Sequence, residues 1–296
     1  MKNLISDYRY NNYENNYNYI VIVVNYNNSN YTIKLYESIK NIDHLLFIIV
    51  DNNSSSVERS VIEKLACISN IIIIFNSSNL GYFPGINKGI ELIRKEKILF
   101  DFLIIGNNDL LFSQKFFDNL SQIGSKIDKY PVISPRIINI NCKDQNPHVK
   151  NKVSKVRQWL YKLYYSNYTI AKIIMKIKNI TGIDTSIKDY KYSKISGEIF
   201  QGYGACYILT RHFFDFYEYL WCPSIIMGEE LFLAMQINKI GYKIYYVPDL
   251  EVYHVDHATT KNIGSKEMWF YEKEAFIKAE YFKKNNDKIA INEKIK

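Results

Sequence analysis

The run from Phe100 to Leu110 closes on Gly106-Asn107-Asn108-Asp109, and that stop has clear chemical potential. An apolar stretch rich in Ile and Leu reads as a strand buried on both faces, which sets Asp109 at the strand's carboxyl end. Ligands of open α/β sheets bind in the crevice outside those ends. One carboxylate flanked by two amides therefore suits a divalent cation carrying a phosphorylated ligand. The other reading is a turn whose Asn and Asp serve the backbone alone, because both are common turn formers. A second acidic feature, Gly228-Glu229-Glu230, also has two readings: an acid pair favouring the first turn of a helix, or the source of a general base. Between them in chemistry lies Asn79-Leu80-Gly81-Tyr82-Phe83-Pro84-Gly85-Ile86-Asn87-Lys88-Gly89. Its glycines let a backbone approach a ligand, and the helix it opens offers free N–H groups to an anion. It is neither a Walker motif nor a GxGxxG after the first strand, which argues against an ATPase or a dinucleotide dehydrogenase.

Alternating strands and helices are expected to position these residues. Tyr19 to Val24 is a β-branched strand ending at Asn25-Tyr26-Asn27-Asn28, followed by helical spacing over Tyr31 to Ile39. Leu45 to Val50 ends in Asp51-Asn52-Asn53 and leads to the helical Val57 to Ala66; Ile71 to Phe75 is a third strand. This order predicts a Rossmann-like, mostly parallel sheet with right-handed crossovers. A chain of 296 residues with 47% hydrophobic content suits one large α/β unit plus an appendage. The formal charge of +8 favours anionic partners, among them nucleotides, lipid phosphates, a membrane face or nucleic acid. Cys67, Cys142, Cys206 and Cys222 lack CxxC spacing, so no zinc site is expected and a reducing cytoplasm is the simplest setting. No basic and apolar leader with a cleavage site appears, and no run approaches the ~18 apolar residues of a membrane span. Residues 1–18, rich in Asn and Tyr, read as a poorly ordered leader.

The ordered set Val23 to Asn27, Val50-Asp51-Asn52-Asn53-Ser54, Asn79-Leu80-Gly81 with Gly85 and Asn87, and Asn107-Asn108-Asp109 resembles family 2 glycosyltransferases, particularly bacterial rhamnosyltransferase-like members. Gly228 to Leu233, Gly241-Tyr242 and Val247-Pro248 to His254 resemble that family's acidic motif and the strand and histidine after it. The resemblance implies a GT-A fold. A nucleotide-binding half (about 19–125) would join an acceptor half (about 126–265), with inversion at the sugar's anomeric carbon. It also implies a divalent metal, Mg2+ or Mn2+, held by Asp109 and His254. The nucleotide-sugar contacts it implies are Asn25, Tyr26, Asp51, Asn53, Asn79, Gly81, Asn87, Asn107 and Asn108, with Asp51 at the base. Gly202, Tyr203 and Gly204 would border the acceptor; an ordinary strand with a glycine bulge accounts for the same residues. Glu230 matches the general base, with Glu229 as substrate-orienting residue or alternate. The family's metal motif usually carries more acids, where this chain has Asn107 and Asn108, and its acidic block usually has an Asp where this chain has Phe232.

The expected donor is UDP-, dTDP- or GDP-linked. The expected acceptor is a saccharide or an undecaprenyl-diphosphate-linked saccharide of O-antigen or capsule-like synthesis at the cytoplasmic membrane face. Residues 150–195 interleave Trp159, Leu160, Ile173 and Ile177 with Lys155, Lys172 and Lys176, which suits basic amphipathic helices on an anionic membrane or a hairpin packed on the catalytic unit. Residues 266–296 read as a C-terminal helical segment. The competing class is a non-catalytic nucleotide- or nucleic-acid-binding protein using its basic surface. Two carboxylates beside an anion's crevice argue against it, and no nucleic acid is expected.

Overall fold

The computed structural model describes residues 16–147, 149–151, 154–181, 194–224, 227–255 and 265–285. Strand β1 (Asn16–Asn25) is followed by helix α1 (Ser29–Ile39), β2 (Leu45–Asp51), α2 (Ser56–Glu63), β3 (Ile71–Phe75), α3 (Tyr82–Lys95) and β4 (Leu99–Asn107). All seven residues of β2 are buried, as a continuous apolar run between two helical layers requires. The second half runs β5 (Leu110–Phe112), α4 (Gln114–Ile127), β6 (Val132–Asn139), α5 (Lys155–Tyr164), α6 (Tyr168–Thr181), β7 (Gly197–Ile199), β8 (Cys206–Thr210), α7 (Arg211–Phe214), α8 (Glu229–Lys239), β9 (Ile244–His254) and α9 (Ser265–Lys284).

One sheet of order β3-β2-β1-β4-β8-β6-β9-β5 unites these strands, with β7 on the side of β9. The pairings from β3 to β4 are all parallel, so crossover helices return the chain each time and the four carboxyl ends fall along one edge. Register makes this concrete: Asn25 lies opposite Asp51, Asp51 opposite Phe75 and Val24 opposite Asn107. Antiparallel pairing enters at β8, whose first residue Cys206 lies opposite Gly106. The loop preceding β8 therefore arrives at the same edge. A Cβ on Gly106 would fall 2.5 Å from Leu110 Cδ1 and 3.0 Å from the Ala205 carbonyl, so only glycine lets these backbones pass.

Two apolar layers flank the sheet. One joins Ile20, Ile48 and Leu103 to α3, α8 and α9; the other joins Val21, Phe47 and Ile104 to α1 and α4. Strand β1 begins at Asn16, three residues before the expected Tyr19, because Asn16 and Tyr17 pair with Leu99 and Phe100. The expected poorly ordered leader otherwise lies outside the described residues. Strand β9 runs unbroken from Ile244 through Pro248 to His254, and its register with β6 shifts between Pro135 and Arg136.

Candidate active site

Asn25, at the end of β1, is fully buried and acts as a polar hub. Its Nδ2 donates to Asp51 Oδ1 at 2.9 Å and to Ser54 Oγ at 3.1 Å, and its Oδ1 accepts from Thr32 Oγ1 at 2.9 Å. Asn108 donates to the same Oδ1 at 3.2 Å, to Thr32 at 2.8 Å and to Asn28 Oδ1 at 2.7 Å. Buried amides must be satisfied, and these satisfy one another across two strand ends. Asp51 is buried beside this hub. The Ser54 N–H and Arg59 Nε reach its Oδ2 at 3.0 and 3.2 Å, and the Arg59 guanidinium lies over the Phe75 ring at 4.7 Å. Asp51 is thus ringed by internal donors. Tyr26 and Asn53 stand exposed beside this hub, Asn53 with the positive φ of 65° that Asn tolerates.

The next part of the edge is built from loops. Asn79 Oδ1 accepts from the Gly81 N–H at 2.9 Å and from Asn52 at 3.2 Å, while Asn52 donates to the Gly81 carbonyl at 2.8 Å. Gly81 holds φ 86° at the start of α3, a conformation that favours glycine. Asn87, by contrast, is turned away from this edge. Its Nδ2 donates to the Leu220 carbonyl at 2.8 Å and its Oδ1 accepts from the Leu220 N–H at 3.0 Å, which commits both polar atoms to the opposite segment.

Beyond Asn107 the catalytic candidates gather. Backbone pairing of Leu110 with His254, together with a 2.9 Å bond from the Val255 N–H to the Asp109 carbonyl, zips β5 against β9 and brings His254 to Asp109. The His254 Nε2 to Asp109 Oδ1 distance is 3.1 Å, and both residues are buried. His254 Nδ1 lies 2.9 Å from Gln145 Oε1, Asn107 Nδ2 lies 3.5 Å from Nε2, and the Tyr203 ring meets the imidazole edge-on at 5.8 Å. When Nδ1 donates to Gln145, a neutral imidazole turns a lone pair on Nε2 towards the Asp109 carboxylate. One nitrogen and one carboxylate facing each other in this way are a donor set that fits a divalent cation. Among the described residues no group of three or more His, Cys, Asp or Glu side chains is arranged to hold a metal, so remaining ligands would have to come from a bound substrate or water.

Gly204 links this corner to the acid pair. Its N–H donates to Glu230 Oε1 at 3.2 Å and its carbonyl accepts from the Tyr82 hydroxyl at 3.2 Å. A Cβ there would lie 2.9 Å from the Glu230 carboxylate, and one on Gly202 would strike Ser134 Oγ at 2.3 Å. The space left by both glycines is filled by the protein itself rather than left open. Glu229 and Glu230 open α8, with Gly228 before them at φ 88°. Burial first, and the Glu230 carboxylate second, push the Glu229 carboxyl up to about 8, although part of the residue's surface remains accessible. Burial likewise pushes the Tyr82 phenol well up, helped by Glu229, Glu230 and Asp109, so all three acids act on one hydroxyl. Arg59, Thr32, Gln145 and Tyr82 were not singled out from the sequence. An arginine after a serine-rich turn, or a glutamine in an irregular loop, carries no local signal that a strand end packs against it.

A succession of side-chain and backbone contacts therefore runs along one sheet edge, from the buried Asp51 to an acid pair at Glu230. The family model for glycosyl transferase family 2 matches residues 20–185, more than half of the chain, and the chain belongs to that family. The mannosyltransferase PcManGT from Pyrobaculum calidifontis, solved with GDP-Man and Mn2+, superposes with a TM-score of 0.50 and 13% identity over 81% of this chain and 57% of that one. That likeness is one of fold, the GT-A fold. Residues 1–349 of S. aureus TarS match with a TM-score of 0.46 and 15% identity over 80% of this chain and 60% of that one. GalNAc-T7, solved with UDP, GalNAc and Mn2+, matches at 0.49 and 14% over 85% and 46%. The chain spans between 46% and 60% of the length of these three structures. No curated protein matches it.

Proposed function

We propose that this chain is an inverting glycosyltransferase moving a hexosyl or deoxyhexosyl group from a nucleoside-diphosphate donor to a hydroxyl of a saccharide or lipid-linked saccharide. The observation that carries the reading is the succession of contacts from Asp51 through Asn25, Asn108, Asp109 and His254 to Gly204 and Glu230. It sets buried polar groups and a proton acceptor on one edge. The nucleotide would lie between Asp51, with Arg59 behind it, and the exposed Tyr26 and Asn53. Asn79 and Gly81 shape the loop beneath its phosphates. Asp109 and His254 would hold the Mg2+ or Mn2+, which supplies positive charge against the developing diphosphate.

Base chemistry falls to Glu230. Burial and the neighbouring carboxylate favour the protonated form of Glu229, whereas Glu230 is oriented by the Gly204 N–H. Glu229 then serves as a hydrogen-bond donor that orients the acceptor beside Tyr203. The acceptor hydroxyl loses its proton to Glu230 as its oxygen bonds to the anomeric carbon and the diphosphate departs. An in-line attack of this kind inverts that carbon. The likeness to the rhamnosyltransferase-like members supports an acceptor from O-antigen or capsule-like polysaccharide synthesis. A panel of UDP-, dTDP- and GDP-sugars assayed by nucleotide release, with product anomers read by NMR, tests the proposal. One nucleotide should be released and the product inverted; a retained anomer, or release with none of the panel, overturns it.

A further inference from the structure

Helices α5 and α6 form a hairpin whose surface is the reverse of an ordinary packed helix pair. Residues 154–181 carry Lys155, Arg157, Lys162, Lys172, Lys176 and Lys178 and no carboxylate. Their apolar residues recur at helical spacing, Val156, Trp159 and Leu160 on α5 and Ile173, Ile177 and Ile180 on α6, yet all six are exposed. Trp159 is 61% and Ile180 74% exposed, and α5 has no buried residue while α6 buries only Ala171. The turn between the helices, however, is firmly seated. The Tyr165 ring stacks on Phe276 at 4.9 Å, its hydroxyl reaches Glu272 at 3.4 Å, and Tyr168 meets Trp269 edge-on at 5.3 Å. The hairpin is held at its base and leaves its apolar stripes in water.

We propose that the exposed stripes of α5 and α6 dock on an anionic lipid bilayer, with the lysines contacting headgroup phosphates and Trp159, Ile173, Ile177 and Ile180 entering the interface. The charge pattern selects the occupant: the hairpin has no carboxylate of its own, and although Lys162 pairs with Glu280 of α9 at 3.5 Å, the other five cations match a surface of phosphates. Apolar stripes between the cations match the acyl boundary below them, which a purely ionic partner would leave wet. Among the described residues no helix is long and apolar enough to cross a membrane. The docking has a structural route to the site. Helix α9, on which the hairpin turn sits, packs Ala275 against Gly228 and Phe282 against Trp221, next to the acid pair. Docking does not depend on the transfer chemistry; with that chemistry it brings the site to lipid-linked acceptors.

Sedimentation of the full chain with vesicles of phosphatidylcholine, alone or with roughly a third phosphatidylglycerol, tests this. Binding should require the anionic lipid and weaken steeply at high salt. Lys155→Gln, Lys172→Gln and Lys176→Gln should each lower partitioning about 5-fold, and about 100-fold together. Trp159→Ser with Ile177→Ser should also lower it, which electrostatics alone would not produce. Equal binding to neutral vesicles, no binding, or indifference to these substitutions overturns the proposal. So does a dimer that Trp159→Ser dissociates, or an oligonucleotide bound through these lysines while vesicles are not. Circular dichroism checks the fold of each variant, and the salt titration of the unmodified chain stands without them. Nucleotide release measured without vesicles should be unchanged in every variant. Failure of docking thus leaves that activity intact, and failure of the transferase reading leaves vesicle binding intact.

Discussion

Asp51 and Glu229 are acids at the same sheet edge, and their surroundings treat charge in opposite ways. Asp51 is wholly buried but receives Asn25, the Ser54 N–H and Arg59, so its carboxylate is compensated on every side. Glu229 is desolvated beside another carboxylate, and its proton is held tightly instead. Burial with donors makes a fixed part of the scaffold. Burial beside a like charge makes a proton reservoir, the property expected where chemistry occurs.

The strongest way to break the comparison is at Glu230. Glu230→Gln preserves size and the bond from Gly204 but removes the proton acceptor, so turnover should fall roughly 10²–10⁴-fold while donor affinity holds. Glu229→Gln should cost less; equal losses in single-turnover assays would mean that the two acids are not distinguished. Asp51→Ala should act on the fold instead. It removes the acceptor shared by Asn25 Nδ2, the Ser54 N–H and Arg59 Nε, while Arg59 keeps the Asn76 carbonyl, and chemical denaturation should record a loss of about 2 kcal/mol together with weakened nucleotide binding.

Gln145→Ala tests the corner between these acids. Losing the partner of His254 Nδ1 should weaken Mn2+ binding in the presence of a nucleoside diphosphate about 10-fold or more, read by calorimetry. Affinity unchanged by Gln145→Ala would remove His254 from the ligand set. The smallest effect is on pH-dependent stability. Because the folded value of Glu229 lies above its unfolded one, the folded state binds the extra proton between about pH 4.5 and 8. Stability from this group is therefore lost as pH rises through that window. Glu229→Gln should raise the melting temperature by a few degrees at pH 9 and leave it nearly unchanged near pH 4.

Much of the first half was legible because its signals are local. Continuous apolar runs such as Ile71 to Phe75 stop at polar clusters, and parallel strands put each stop on one edge, so Asn25, Asp51 and Asn107 could be grouped before any contact was known. Strand β6 and the short β5 gave weaker cues: β6 contains Pro135 and Arg136, and β5 has three residues. Asn87 shows the limit of motif position. It belongs to the glycine-rich motif but lies inside α3, and its amide turns to Leu220. The glycines at 202 and 204, read as bordering the acceptor or as a glycine bulge, lie against Ser134, Tyr207 and Glu230. Spacing reports that a side chain is missing, not what takes its place.

The pairing of Asn87 with Leu220 also sets how the two halves are joined. An uncharged amide grips one residue's N–H and carbonyl as a neighbouring strand would. Beside it, Arg94 and Glu218 make an ion pair at 2.9 Å, each substantially exposed. Salt screens the ion pair and acid discharges it, but neither reaches the amide. The joint between α3 and the segment at Leu220 and Trp221 should therefore hold its alignment across ionic strengths and pH values that loosen the surface around it.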